Sequence, residues 1–206
     1  MTIEKNVAAH YARAGLADAI LAAAAQTAPD PAHLTVRDLA PVDEFHIGGI
    51  EATEHFLPKL GIGEGEHWLD IGAGIGGPAR HAATRYGCRV SGIDLTPDFC
   101  STARVLNERV GLADRVEVVE GSALAMPFGD AAFDGAFTIH VGMNIEDKPA
   151  LYRETCRVLK PGTVFGIYDI LAVAGSGKLL FPVPWATTPD ASFLATIDET
   201  QTMLDD

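Results

Sequence analysis

Between Trp68 and Pro78 the chain reads Trp68-Leu69-Asp70-Ile71-Gly72-Ala73-Gly74-Ile75-Gly76-Gly77-Pro78, an apolar strand end that enters a glycine-rich turn and then a helix. Glycines at 72, 74 and 76 or 77 lack a Cβ, so the turn can be tight. A ligand can approach its backbone, with amides at the following helix start to meet it. Pro78 suits the first helical turn. The spacing of Gly72, Gly74 and Gly77 also satisfies the G-x-G-x-x-G pattern of dinucleotide loops, so the run indicates a nucleotide-type cofactor without choosing one. Two carboxylates narrow the choice. Asp70 closes the strand two residues before the first glycine, where it can face a positively charged ligand group rather than a pyrophosphate. Asp94 ends the next apolar run, Cys88-Arg89-Val90-Ser91-Gly92-Ile93, where a carboxylate can accept both hydroxyl hydrogens of a ribose. A helix cap is the competing role for Asp94, but Thr96-Pro97 already supplies that start.

From His67 onward short apolar runs alternate with helical patterns, the signature of a parallel sheet with crossover helices. Strands are expected at 67–71, 88–93, 116–120, 133–139 and 163–170. Helices are expected at 78–86, 97–110 and 148–159, with Gly87 and Gly111 as caps just past two of them. The fold class is α/β, a doubly wound, Rossmann-like parallel sheet of five strands. In such sheets ligands sit at the carboxyl ends of the strands. The candidates are Asp70 to Gly76, Asp94-Leu95, Gly121-Ser122-Ala123, His140 to Asn144, and Tyr168-Asp169. Ahead of the sheet, residues 6–28 read as an Ala-rich helix interrupted at Gly15 and stopped before Pro29. A loop with Pro29, Pro31 and Pro41 then leads to Asp43-Glu44-Phe45-His46-Ile47-Gly48-Gly49, and Ile50 to Leu60 looks helical. Two glycines beside His46 suggest close backbone approach to a ligand, against the plainer reading of a helix-entry turn.

Length and charge exclude several classes. The 206 residues suit one domain with a full core, and 48% hydrophobic with 21% charged residues is an ordinary globular balance. A net charge of −13 opposes a phosphate-backbone partner, so no nucleic acid is expected. Cys88, Cys100 and Cys156 form no CxxC pair, which indicates neither a disulfide framework nor a metal site. No 18-residue apolar run and no leader pattern appear, so no membrane partner and a cytoplasmic location are expected. Gly175-Ser176-Gly177-Lys178 imitates a phosphate loop, but Ala172 stands where its first glycine belongs and Leu179 follows the lysine, so it reads as a turn. Asp198-Glu199 and Asp205-Asp206 read as a solvated helix face.

Over roughly residues 40–190 the sequence resembles the class I S-adenosylmethionine-dependent methyltransferases. The resemblance lies in Leu69-Asp70-Ile71-Gly72-Ala73-Gly74-Ile75-Gly76, in Asp94 within Gly92-Ile93-Asp94-Leu95, in Met126-Pro127-Phe128 to Phe133-Asp134, and in Arg157-Val158-Leu159-Lys160-Pro161-Gly162. Phe45-His46-Ile47-Gly48-Gly49, His140-Val141-Gly142-Met143-Asn144-Ile145 and Pro182-Val183-Pro184-Trp185-Ala186 look like the small-molecule subgroup that includes sarcosine/dimethylglycine and tocopherol-type methyltransferases. The resemblance implies a strand order of 3-2-1-4-5, S-adenosyl-L-methionine as cofactor with S-adenosyl-L-homocysteine as product, and a small-molecule N, O or C acceptor. It places the methionine amino group near Gly72 and Asp70, the ribose at Asp94, and the adenine between the 93–95 and 121–124 loops. The implied cofactor set is Asp70, Gly72, Ala73, Gly74, Gly76, Asp94, Leu95, Ser122, Ala123 and His140. Ser122 stands where many members carry an Asp that contacts the adenine amino group, and a neutral hydroxyl accepts more weakly.

His140 and His46 are the catalytic candidates, His140 because it directly follows strand four, and Tyr168 is a lesser one. A structural histidine bonding a loop carbonyl is the competing role. A neutral amine acceptor needs no base in the displacement, whereas a phenol or an acidic carbon does. A nicotinamide oxidoreductase shares the glycine pattern, but Asp70 and Lys160-Pro161-Gly162 follow the transferase pattern instead. The remaining alternative is a catalytically incomplete cofactor-binding module, acting through a partner or as a fragment.

The chain is read as one domain, with a helical lid at 1–60, a cofactor-binding core at 61–172 and a partial C-terminal segment at 173–206. Members of the family continue past strand five with a helix and two further strands. Here the residues after Ile170 carry Phe181-Pro182-Val183-Pro184-Trp185 and a helix expected from Pro189 to Leu204, with no strand pattern after it. The expectation is an open strand-five edge, belonging to a piece of a longer protein or buried against a second copy in a homodimer.

Overall fold

Trp68, Leu69, Asp70 and Ile71 are all buried, as an internal strand of a parallel sheet covered on both faces requires. In the computed structural model, which describes residues Glu4, Val7, 15–175 and 177–205, this run is the centre of a five-stranded sheet. The chain runs through α1 (Leu16–Thr27), α2 (Val36–Asp43), α3 (Gly49–Phe56) with a 3-10 turn at Leu57–Leu60, β1 (His67–Ile71), α4 (Gly77–Tyr86), β2 (Arg89–Asp94) and α5 (Pro97–Arg109). It continues through β3 (Val116–Glu120), β4 (Phe133–Ile139), α6 (Lys148–Val158), β5 (Leu159–Tyr168) and α7 (Ile197–Asp205). The strand order is β3-β2-β1-β4-β5 with every pairing parallel, as expected of the fold class. No helix among the described residues is long and apolar enough to cross a membrane.

Alternation along the strands sends side chains to two cores. Trp68, Phe137 and Ile139 pack with Phe56, Leu57, Leu60 and the alanines of α4, while Leu69, Ile71 and Ala136 pack with Leu151 and Val158. Asp70 shares the α4 face with Trp68. It is the carboxylate of a central strand, only 2% exposed.

Three boundaries differ from those the sequence suggests. The proline-bearing loop before Asp43 contains α2, because Thr35 and Asp38 form a reciprocal capping box that starts a helix tolerant of Pro41 near its end. The expected 6–28 helix shows its interruption at Gly15, left-handed at the N-cap of α1, while Asn6 and residues 8–14 lie outside the described residues. Strand five begins at Leu159 rather than 163, paired with Phe133 across a register slip before Val164 meets Gly135. The C-terminal helix starts at Ile197, not Pro189. Ahead of it Phe193 N–H donates to Met143 O at 2.7 Å and Ala172 N–H to Ala195 O at 2.9 Å, so residues 193–195 are drawn out along the body. Thr196 and Glu199 then cap the helix.

One polar crosslink runs through the interior. Arg80 is fully buried on α4, donating through Nη2 to Asp43 Oδ2 at 2.6 Å and through Nη1 to Asn107 Oδ1 at 2.8 Å. Asn107 Nδ2 donates on to Val116 O. Four elements, α2, α4, α5 and β3, meet through these groups. Gly77 adds to the fit, since a Cβ there would lie 2.7 Å from Asp43 O. Removing one partner strands a buried charge, which is far costlier than replacing both. We therefore expect Asp43→Ala to destabilise the fold by about 3–5 kcal/mol in urea unfolding, and the double change Asp43→Ala/Arg80→Met to cost clearly less. Equal losses for the two would show that packing, not charge, dominates there.

Candidate functional site

A cavity opens at the carboxyl ends of β1, β2 and β4. Its walls include Asp70, Gly72, Ala73, Gly74, Asp94, Leu95, Ala123, His46 and His140. The sequence candidates Gly76 and Ser122 are not among the lining residues. Gly76 has φ +84° and caps α4, with Arg80 Nη1 2.9 Å from where its Cβ would stand. The Ser122 hydroxyl donates to the Glu4 carboxylate and accepts Leu124 N–H.

The glycine loop is bound to the end of β2 rather than left open. Gly72 and Ala73 N–H both donate to Ile93 O, Gly74 N–H donates to Asp94 Oδ2 at 2.8 Å, and Gly76 N–H donates to Ala73 O. These four loop amides all end on protein acceptors. Gly72 has φ +74°, and a Cβ on it would drive into Val141 at 2.2 Å. Gly74 has φ +54° with open space where a Cβ would stand, so the loop presents bare backbone there.

Charge in this half of the cavity is one-sided. Asp43, Glu44, Asp70 and Asp94 gather near Arg80, which is committed to Asp43 and Asn107. Asp70 Oδ2 is buried and has no hydrogen-bond partner. Burial, then the neighbouring Glu44 and Asp94, push the Asp70 carboxyl well above the usual carboxylate range. Burial, then Asp43, lift Glu44 to about 8. Asp94 is also raised by burial, against the pull of its two amide donors, Thr96 N–H on Oδ1 and Gly74 N–H on Oδ2. The Thr96 hydroxyl also bonds this carboxylate, and the acceptor positions that the three donors leave are open to a ligand hydroxyl.

The two histidines differ in their commitments. His46 has Nε2 3.2 Å from Thr53 Oγ1 and Nδ1 3.5 Å from Glu44 Oε2, while Thr53 Oγ1 donates to the same Glu44 oxygen at 2.9 Å. Its Nε2 is thus engaged by Thr53 on the wall behind it, with Glu44 near Nδ1. His140 stands just past β4 in a left-handed conformation, φ +56°. Its Nδ1 accepts Ile47 N–H at 3.4 Å, its ring stacks on Tyr168 with centroids 5.3 Å apart, and His46 meets it edge-on at 5.8 Å. Burial and His46 push its pKa down to about 4. With Nδ1 accepting, the proton of this neutral ring is on Nε2.

The outer half of the cavity is apolar. Phe45, Ile47, Ile139, Met143, Ile145, Ile170, Pro184 and Trp185 line it. The C-terminal segment is pinned there by Asn144 Nδ2, which donates to Trp185 O and Ala191 O, and by the Lys148 ammonium, which donates to Gly142 O, Ile145 O and Phe193 O. Asp43, Glu44, Arg80 and Lys148 escaped the sequence reading. Their only local signal is a charged residue at a position that helical spacing turns inward.

A family profile described as a methyltransferase domain matches residues 69–167. The sterol 24-C-methyltransferase of Gibberella zeae is 37% identical over 119 residues, 57% of this chain and 31% of that protein. The chain thus spans about a third of the length of the curated relatives it matches. Among solved structures, phosphoethanolamine N-methyltransferase 2 of Haemonchus contortus with S-adenosyl-L-methionine is 26% identical, with a TM-score of 0.68 over 80% of this chain and 38% of that one. The geranyl diphosphate C-methyltransferase of Streptomyces coelicolor A3(2), with Mg2+, geranyl-S-thiolodiphosphate and S-adenosyl-L-homocysteine, is 20% identical. Its TM-score is 0.75 over 100% of this chain and 79% of that one.

The raised carboxyl of Glu44 has a consequence for stability. The folded protein holds a proton there that an unfolded glutamic acid, with its ordinary value of 4.5, has already released. Its contribution is therefore complete below about pH 4.5 and is lost as pH rises to about 8. We expect the melting temperature of the ligand-free chain to fall between pH 5 and pH 8, and Glu44→Gln to flatten that slope. An unaltered slope in the variant would remove Glu44 as its source.

Proposed function

We propose, from the premise that the chain belongs to the class I S-adenosylmethionine-dependent methyltransferases, that it binds S-adenosyl-L-methionine at the glycine loop and transfers the methyl group to a small-molecule N, O or C acceptor. The orphaned Asp70 oxygen carries this reading. A buried carboxylate without a partner costs several kcal/mol unless a cation meets it, and the cofactor's ammonium is such a cation.

On this reading Asp70 pairs with the ammonium, the carboxylate of Asp94 accepts the ribose hydroxyls, and the backbone at Gly72 to Gly74 lets the ligand lie close. When bound, the cofactor supplies an electrophilic methyl group on a sulfonium, for a direct displacement. The protein's part is alignment and a partly dry site. Trp185, Met143 and Phe45 keep water from the outer half of the cavity. His140 faces it with a neutral Nε2–H, a group that orients an acceptor rather than one that removes a proton. His46 stands behind, holding the loop of Phe45 and Ile47 through Thr53 and Glu44.

Calorimetric titration with S-adenosyl-L-homocysteine tests the cofactor assignment. Asp70→Asn is expected to weaken binding by about 1.5–3 kcal/mol and Asp94→Ala by a comparable amount, the range for hydrogen bonds to charged groups. An unchanged dissociation constant in both variants, or a preference for NAD, would overturn it. His140→Ala is expected to lower turnover far more than cofactor affinity, since a group that serves the acceptor does not hold the cofactor.

A further inference from the structure

The cavity is divided by charge. Among the described residues its charged lining groups are Asp43, Asp70 and Asp94, all at the glycine-loop half. The outer half is built from Phe45, Ile47, Met143, Ile145 and Trp185, with His140 and Asn144 as polar members. The amide nitrogen of Asn144 is already donated to two backbone carbonyls. The nearby cations are also spent. Lys148 gives its ammonium to three carbonyls behind the wall, and Arg80 is held by Asp43 and Asn107.

An acceptor with a carboxylate or a phosphate would leave water here without meeting an opposite charge, the costly case of burial, and an ammonium would meet one only at the glycine-loop half, where the cofactor's own ammonium is placed. An uncharged hydrocarbon has the reverse balance. Phe45 and Ile47 are each 60% exposed at the mouth, and a ligand that covers them gains from their removal from water. His140 adds one polar feature. Its Nδ1 takes Ile47 N–H, so Nε2 is a donor and suits an oxygen with a lone pair.

We propose that the acceptor is an uncharged, mainly hydrocarbon molecule with one hydrogen-bond-accepting oxygen. Its body lies against Phe45, Ile47 and Trp185, and its oxygen accepts from His140 Nε2–H. This rests on the methyl-transfer reading for its place in the reaction, though not for the binding itself. Of the substrates that the names of relatives and neighbours state, a sterol has this character, whereas a phosphorylated amine and a diphosphate do not.

The test uses the intact chain and three probes with one ten-carbon skeleton, geraniol, geranylamine and geranic acid, which at pH 7.5 are neutral, cationic and anionic. Binding is read by quenching of Trp185 fluorescence, with Trp185→Phe as the signal control, in the presence and absence of S-adenosyl-L-homocysteine. Geraniol is expected to bind at least about tenfold more tightly than either charged probe, a difference of about 1.4 kcal/mol or more. The double variant Phe45→Ser/Ile47→Ser is expected to weaken geraniol severalfold without changing the calorimetric affinity for S-adenosyl-L-homocysteine. Tightest binding by the amine or the acid, equal binding of all three, or no binding up to the solubility limit overturns the proposal. Failure to bind S-adenosyl-L-homocysteine, with geraniol still preferred, would instead overturn the cofactor reading and leave the acceptor class standing.

Discussion

One guanidinium is set against four carboxyl groups, those of Asp43, Glu44, Asp70 and Asp94, and the site follows from that imbalance. Arg80 satisfies Asp43 and draws α2 onto α4, which in turn places Glu44, Phe45 and His46 over the end of β1. It makes no hydrogen bond to Asp70, and its charge only partly offsets the effects of burial, Glu44 and Asp94 there. Buried charges demand partners in proportion to how thoroughly water is excluded, so the uncompensated carboxyl at the strand end is where a cationic ligand gains most. Burial raises both Glu44 and Asp70, and like charges add to it, Asp43 for Glu44 and then Glu44 and Asp94 for Asp70.

The glycine loop is the tight, bare turn that its spacing suggests. Its amides are spent on Ile93 O and on Asp94, so its conformational freedom is used to fold the turn back onto β2 and leave a bare backbone surface. Asp94 therefore has two tasks, closing that turn and offering lone pairs to the cavity. A helix-cap role and a ligand role, alternatives when only the sequence is read, coexist because a carboxylate has more acceptor sites than its three protein donors fill.

The outer wall is assembled from distant segments. Lys148 and Asn144 grip the backbone of residues 185–193, and that grip sets Trp185 against Met143 and Ala186 in a small apolar cluster beside the site. An ammonium that binds only carbonyls is a fastener here, and its charge is unavailable to the cavity.

The local order of the chain was determined by the sequence itself. Apolar runs at 67–71, 116–120 and 133–139, the glycine caps and the acidic residues at 70 and 94 are local signals. Side-chain period, backbone freedom at glycine and capping chemistry act over a few residues and need no knowledge of the rest. The Thr35 and Asp38 capping box was equally local, yet three prolines around it masked α2. Only the tertiary structure decided what the polar groups are for. Whether His46 or His140 presents a nitrogen to the cavity depends on Thr53, Glu44 and Ile47, which no pattern within either segment specifies. Ser122 lies on the expected loop, but its hydroxyl is engaged by Glu4, 118 residues away in the chain. Where residues 193–195 run was set by the backbone bonds of Phe193 to Met143 and Ala195 to Ala172, so the helix could not start at Pro189. Partnership, burial and direction are properties of groups that meet across the fold, and a charge or a hydrogen bond acquires its role only when the far partner is in place.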